Sequence, residues 1–135
     1  MRVIGMAAIL MMLAACEQGP VGNPQVPQPK KPVTLSRYPG VWHELARYEN
    51  RFEKGCATAT AEYRLRDDGK IAVTNRCIET DRPEGPPREA EGKAYVVEGT
   101  NNAKLRVAFF GPIYGDYWVL DHDDRQYQWS IVGEP

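Results

Sequence analysis

Apolar and polar residues alternate with a period of two along most of the chain after residue 56. In the segment CATATAEYRL, residues 56–65, one face would carry Ala57, Ala59, Ala61, Tyr63 and Leu65. The turn sequence RDDGK follows, and IAVTNRC then alternates again through Ile71, Val73 and Asn75. Strict alternation on both sides of a glycine-containing turn predicts a β-hairpin with one buried face.

Four later segments also have the pattern of short strands. They are AEGKAYVVEG, AKLRVAFF, DYWVLDHD and QYQWSIV, separated by the turn or loop sequences TNN and GPIYG and preceded by the loop DRPEGPPRE. Leu105, Val107 and Phe109 share one face of AKLRVAFF. Many short strands at regular spacing, without a convincing helix, predict an all-β fold, either an antiparallel barrel or a sandwich.

The segment GVWHELARYENRF, residues 40–52, has an ambiguous pattern. Val41, Leu45, Tyr48 and Phe52 follow one another at spacings of four, three and four residues. This spacing is typical of an amphipathic helix, whereas the position ahead of a series of hairpins favours a first strand. The pattern alone leaves both structures open.

The first sixteen residues, MRVIGMAAILMMLAAC, have one positive residue, Arg2, followed by an uncharged apolar run. The run is too short to span a membrane and suits the core of an export signal. Leu13-Ala14-Ala15-Cys16 resembles the lipobox of bacterial lipoproteins, in which the cysteine is lipidated. We therefore predict a signal peptide over residues 1–15, with an ordinary signal peptide as the alternative. Glu17 after the cysteine resembles the enterobacterial sorting pattern for the outer membrane, which implies a protein facing the periplasm.

The next segment is rich in proline and has little to bury. Five prolines lie between residues 17 and 33, namely Pro20, Pro24, Pro27, Pro29 and Pro32. Such a sequence predicts an extended tether over residues 16–34, which at about 3.1 Å per residue would reach roughly 50 Å from the lipid anchor. The folded domain is predicted over residues 35–135.

Composition and charge narrow the classes of function. A chain of 135 residues with 42% apolar residues has room for one domain. Its formal net charge of −1, without a clustered basic face, gives no reason to expect nucleic acid as a partner. Glu44 and Asp121 are candidate acid and base groups, but no nucleophile–base pair recurs at a useful spacing. We therefore predict no enzyme, no catalytic residue, no metal and no cofactor.

The three cysteines suggest one lipidated residue and one disulfide. Assigning Cys16 to the lipid leaves Cys56 and Cys77 as an even pair for an oxidising compartment. A metal site or a reactive thiol is the alternative, although His43 and His122 stand alone in the sequence. A regular hairpin would pair Cys56 with a residue beyond Cys77, so the bond requires a β-bulge or a crossing between strand ends.

The segment YPGVWHELARY resembles the first signature of the lipocalins, Gly-x-Trp followed by an aromatic, an acidic residue and an apolar pair. Further segments resemble, in order, those of bacterial outer-membrane lipocalins similar to apolipoprotein D: RFEKG, YRLRDDGKIAVTNRC, EGKAYVV, AKLRVAFFGPIYGDYWVLDHD and YQWSIVGEP. The resemblance implies an up-and-down antiparallel barrel in which residues 40–48 form the first strand. Trp42 would plug the closed end, and Glu44 and Ala46 would point inward. His43 stands where the family usually has tyrosine.

The family has eight strands, and seven of them have a counterpart before Pro135. The eighth strand, the arginine that packs on the tryptophan corresponding to Trp42, and the C-terminal helix have none, so we expect a truncated reading frame or fragment and an incompletely closed barrel. Open edges on the first and seventh strands invite pairing with another chain, which offers a route to a homodimer.

The resemblance also implies a cavity for a fatty acid such as palmitate, or for a lysophospholipid. Small inward residues leave room for a guest, and a tapered but filled barrel is the alternative. The expected lining residues are Trp42, Ala59, Ala61, Tyr63, Val73, Asn75, Ala94, Val96, Leu105, Val107, Phe109 and Tyr117. The expected function is binding or shuttling of hydrophobic ligands by a lipid-anchored envelope protein in membrane maintenance or stress. A structural or protein-interaction module of the envelope is the alternative.

Overall fold

A computed structural model describes residues 24–135, which form one antiparallel sheet of seven strands. The strands are β1 Gly40–His43, β2 Cys56–Leu65, β3 Ile71–Glu79, β4 Arg88–Val96, β5 Lys104–Phe110, β6 Ile113–His122 and β7 Ser130–Gly133. Their order in the sheet is their order in the chain, so every strand pairs with its sequence neighbours. The predicted all-β, up-and-down arrangement is confirmed. Residues 24–135 contain no helix with the length and apolarity to cross a membrane.

The sheet curls so that its two ends approach each other. The hydroxyl of Tyr38, just before β1, lies 3.0 Å from Oγ of Ser130 in β7. Because the strands alternate in direction, residues 44–55, 80–87 and 111–112 lie at one end, here called the open end. Residues 66–70, 97–103 and 123–129 lie at the other end, here called the base. Within the described residues β1 and β7 do not pair with each other.

The disulfide and the predicted irregularity near it are both present. The register shifts between Cys56, which pairs with Glu79, and Thr58, which pairs with Ile78. This β-bulge brings Cys56 and Cys77 to a Cα–Cα distance of 5.4 Å, and their sulfur atoms are bonded. The bulge also turns Ala57 outward, where it is exposed. The prediction that Ala57 faces the interior was therefore wrong, since the extra residue breaks the alternation.

The first strand is shorter than the resemblance implied. β1 ends at His43, and neither helix nor strand continues over residues 44–50. The guanidinium of Arg47 donates a hydrogen bond to the Cys56 carbonyl at 3.1 Å and another to Glu44 at 3.0 Å. Arg47 thus links the segment after β1 to the start of β2 through its side chain rather than through strand pairing. Glu44 and Ala46 are exposed rather than inward, which corrects that expectation.

Two other predicted boundaries also change. β6 begins at Ile113, so the predicted break GPIYG is reduced to a turn around Gly111, whose φ is +55°. β7 begins only at Ser130, because Tyr127 adopts a φ of +56°, which a strand does not accommodate. The first half of the predicted strand QYQWSIV is therefore part of the loop at the base.

Residues 28–33, here called the N-terminal segment, pack against the base. Val33 is 3% exposed, and its N–H donates to the Asn101 carbonyl at 3.0 Å. The ammonium group of Lys31 donates to the His122 carbonyl at 2.8 Å. The packed structure thus begins before the predicted boundary at Leu35, because Val33, near the end of the predicted tether, is part of the core. The predicted signal peptide, Cys16 and the tether up to residue 23 lie outside the described residues.

Candidate ligand-binding site

The register of the sheet brings the predicted lining residues onto its concave face. Directly paired positions on this face are Trp42 with Ala61, Ala61 with Asn75, Tyr63 with Val73, Ala94 with Val107, Val96 with Leu105, and Leu105 with Tyr117. Tyr117 lies inside, whereas its neighbour Trp118 is fully buried on the convex side, with the Lys104 ammonium 3.7 Å from the ring centroid. The two neighbours in β6 therefore lie on opposite faces of the sheet.

The base half of the concave face is packed rather than hollow. Nine of the twelve predicted lining residues belong to the hydrophobic core or pack directly against it: Trp42, Tyr63, Val73, Ala94, Val96, Leu105, Val107, Phe109 and Tyr117. Val33 and Tyr38, from before β1, complete this core. Side chains therefore fill the base of the interior.

Small residues form the wall between the base and the open end. Ala61 pairs with Asn75, and Asn75 pairs with Ala90, one rung above the pairing of Tyr63 with Val73. Ala59 lies beyond them towards the open end and is buried. This row carries no bulky side chain on β2, β3 and β4, and small side chains at inward positions favour an open interior. Ala90 was not among the predicted lining residues, although it lies four residues before Ala94 and therefore on the same face of β4.

Gly92 makes room for the aromatic ring of Phe109. A Cβ atom on Gly92 would lie 2.8 Å from Cδ1 of Phe109 and 2.7 Å from the carbonyl oxygen of Ala108. The ring therefore lies directly over the glycine. Gly92 and Phe109 both border a concavity of about 290 Å³. Of the predicted lining residues, Phe109 alone borders it.

Three tyrosines join their hydroxyl groups above the packed base. The Tyr63 hydroxyl donates to the Tyr117 hydroxyl at 2.9 Å, and the Tyr38 hydroxyl lies 3.1 Å from that of Tyr117. Burial raises the pKa of all three phenols, most clearly those of Tyr63 and Tyr117, so all remain neutral. We call Tyr38, Tyr63 and Tyr117 the tyrosine layer. Sequence reasoning missed Tyr38, which lies outside any strand pattern.

Trp42 closes the side of this layer nearest β1. Its ring stacks on that of Tyr38 with the centroids 4.8 Å apart, and its Nε1 donates to the Tyr38 carbonyl at 2.8 Å. These two contacts fix the orientation of the indole, because its face packs on Tyr38 and its single N–H group is hydrogen-bonded. Trp42 thus points inward, as the resemblance implied.

The two carboxylates considered for acid–base chemistry lie at opposite ends of the sheet. Glu44 lies at the open end, where burial and a hydrogen bond with Glu53 raise its pKa. Asp121 lies near the base, with its carboxylate 3.3 Å from the Lys31 ammonium. Burial tends to raise the pKa of Asp121, but hydrogen bonds from the His122 N–H and from Lys31 outweigh it, so the pKa is lowered. The fold does not bring the two together. Residues 24–135 contain no group of three His, Cys, Asp or Glu residues placed to hold a metal ion.

A seven-stranded meander whose ends curl together, with a packed base and a stacked tryptophan, has the architecture of an up-and-down antiparallel barrel. The profile of the lipocalin-like domain matches residues 33–135, and the chain belongs to the lipocalin family. The matched region begins at Val33, the first residue of the buried core. The family predicted from the sequence is confirmed.

The chain resembles curated proteins from bacteria and from a primate. It is 40% identical to the outer membrane lipoprotein Blc of Vibrio cholerae over 96% of this chain and 74% of the relative. Identity to the protein of the same name from Escherichia coli is 37%, over 98% and 72% of the two chains. Apolipoprotein D of Macaca fascicularis is 38% identical over 68% of this chain and 47% of its own length. The two relatives named outer membrane lipoprotein Blc confirm the predicted localisation as a lipid-anchored outer-membrane protein.

Proposed function

We propose that this envelope lipocalin holds a single-tailed amphiphile, a fatty acid or a lysophospholipid, against the upper half of its concave face. The observation that carries the proposal is the row of small side chains, Ala61, Asn75 and Ala90, which lies between the tyrosine layer and the open end. Acylated Cys16 holds the protein on the outer membrane, facing the periplasm, where such lipids arise during membrane turnover or stress.

The energy of tail burial is sufficient for useful affinity. Each buried methylene contributes about 0.8 kcal/mol, so ten of them contribute about 8 kcal/mol. That free energy corresponds to a dissociation constant of about 1 μM before ordering costs are subtracted. Enclosing the remaining methylenes of a sixteen-carbon tail adds to this free energy and offsets the ordering costs.

The charges of the site favour a bound lipid with its tail inward. The tyrosine layer is neutral and its hydroxyls bond to one another, so a charged head group placed there would lack a counterion. Arginines lie at the open end instead. Arg88 bonds Glu79 at 3.0 Å and the Phe52 carbonyl at 3.1 Å, and Arg47 lies close to Glu44. A phosphate or carboxylate head group at this end remains hydrated and close to positive charge.

Ligand titration with a matched pair of variants tests the proposal. The mature chain carrying Cys16→Ser is titrated with palmitate and with lysophospholipid while tryptophan fluorescence is followed. We expect saturable binding that Ala61→Phe abolishes, because the ring fills the space above the tyrosine layer. Ala57→Phe serves as the control, since residue 57 is exposed on the same strand. Unsaturable titration of folded wild type, or equal loss in both variants, contradicts the proposal.

A protein-interaction module is the second candidate, and the edge of β7 favours it. This strand is four residues long, lies at the end of the sheet and carries an exposed Ile131. Unpaired strand edges bind other strands, including those of a second copy. Native mass spectrometry separates the candidates: a carrier is detected with bound lipid, whereas an interaction module is detected as a lipid-free oligomer.

A further inference from the structure

The most exposed apolar side chains of the described residues are concentrated in two segments. Leu45, Tyr48, Phe52, Phe110 and Ile113 are 63% to 98% exposed, and every other exposed large hydrophobic residue is 54% exposed or less. Singly scattered exposed apolar residues are common on soluble proteins and need no explanation. Here, however, the five highest values all occur within two connections between strands or at the strand ends that flank them.

Both segments lie at the open end of the sheet. Residues 44–55 connect the end of β1 to the start of β2, and residues 111–112 connect β5 to β6. In this meander these two connections point the same way, and the hairpins of the base point the opposite way. The apolar side chains therefore border the entrance to the concave face; we call these five residues the apolar rim.

The charges around the apolar rim suit the surface of a lipid bilayer. Between residues 44 and 54 three acidic and three basic side chains alternate, so the segment has no net charge. The guanidinium of Arg51 lies 4.8 Å from the ring centroid of Phe52, which places a cation beside an inserting side chain. Aromatic rings with a neighbouring cation are the side chains that proteins place among lipid head groups.

The place where the N-terminal segment joins the sheet allows the open end to reach the membrane. Gln28 bonds Lys104 at the base, at 2.7 Å, so the tether leaves the molecule at the end opposite the apolar rim. If residues 17–27 were fully straightened, including the turn at residues 24–25, they would span about 34 Å at about 3.1 Å per residue. The ten residues of β2 span about 33 Å at about 3.3 Å per residue. The tether is thus long enough to run beside the sheet and leave the open end facing the lipid.

We propose that the open end docks on a phospholipid bilayer by inserting the apolar rim among the lipid head groups and upper acyl chains. The concave face then opens directly onto the membrane, and an amphiphile passes between them without crossing bulk water. The tether argument rests on the proposed acylation of Cys16. The docking itself does not depend on a ligand in the concave face.

Site-specific labels on the acylated chain test this docking. An environment-sensitive fluorophore is attached through Tyr48→Cys, or through Ile113→Cys, because the other cysteines are acylated or in the disulfide. Glu98→Cys, exposed at the base, is the control. The proteins are reconstituted in vesicles of phosphatidylethanolamine and phosphatidylglycerol. We expect a blue shift at positions 48 and 113 and quenching by lipids carrying a nitroxide on the acyl chain, with neither effect at position 98.

Further variants distinguish docking on lipid from ligand binding and from self-association. Leu45→Ser with Phe52→Ser lowers the inserted fraction at position 113 by about tenfold or more, because two apolar side chains no longer partition. Ala61→Phe, which blocks the proposed ligand site, leaves the quenching unchanged, so failure of one proposal is distinguishable from failure of the other. Equal signals at positions 48 and 98 overturn the proposal. A blue shift without nitroxide quenching that grows with protein density also overturns it, because a second copy then covers the apolar rim.

Discussion

Replacing Gly92 with alanine tests whether the concave face is packed as described. The added Cβ atom would lie 2.7 Å from the Ala108 carbonyl oxygen and 2.8 Å from a ring carbon of Phe109. The phenyl ring can swing aside, but the carbonyl belongs to β5, which is paired with β4 at this point. The backbone contact must therefore be relieved by moving the strands apart.

Overpacking of this kind costs about 1–3 kcal/mol, and the rigid backbone contact favours the upper part of that range. For a domain of this size, 2 kcal/mol corresponds to a decrease in Tm of roughly 10 °C. Gly115→Ala is the matched control, because a Cβ on Gly115 meets nothing within 4 Å. Since Gly115 also lacks a positive φ, alanine there should be neutral or stabilise by about 0.4–1 kcal/mol through the unfolded state.

Thermal and urea unfolding of the two variants, followed by circular dichroism, measure the difference. The double variant Gly92→Ala, Phe109→Leu should recover part of the lost stability, because the smaller side chain removes the ring contact but leaves the carbonyl contact. If Gly92→Ala unfolds within about 0.5 kcal/mol of wild type, or Gly115→Ala is equally destabilised, the described packing of β4 against β5 is wrong.

Three other predictions follow from the core and the disulfide. Cys56→Ala with Cys77→Ala should lower the free energy of unfolding by about 3 kcal/mol in urea titrations, whereas reductant should affect only the wild type. Val33→Ala should cost about 1–3 kcal/mol by the same measurement, because the side chain is buried, while the exposed Val41→Ala should change little. Burial raises the pKa of the Tyr63 phenol above its value in the unfolded chain. The free energy of unfolding should therefore be highest below pH 10 and should decrease as the pH rises further. A urea midpoint that is unchanged between pH 8 and pH 11 would contradict this.

Local pattern was sufficient to predict the strands that pair with their immediate neighbours. In β2 and β3 the period of two and the turn at Gly69, whose φ is +77°, define a hairpin without any information from the rest of the chain. The disulfide and its bulge followed from the same register, because a bond between Cys56 and Cys77 is incompatible with a regular hairpin. Contacts between residues that are close in sequence depend on the local residue pattern, so that pattern is enough to predict them.

The segment after β1 shows the limit of that reasoning. The helical spacing of Leu45, Tyr48 and Phe52 is real, yet these residues form neither a helix nor part of the core. β1 ends at His43, and the side chain of Arg47 bonds the carbonyl of Cys56. Periodicity reports which side chains could share a face, but it does not report what that face contacts.

The sequence by itself determined the fold class, the order of the hairpins, the disulfide and the family. Only the tertiary structure decided that Val33 belongs to the core and that the tyrosine layer separates a packed base from a small-residue wall. Tyr38 and Tyr117 are 79 residues apart, and Tyr38 and Ser130 are 92 apart. Such contacts form because the whole sheet curls and brings its ends together, a consequence of strand twist summed over seven strands rather than of any local pattern.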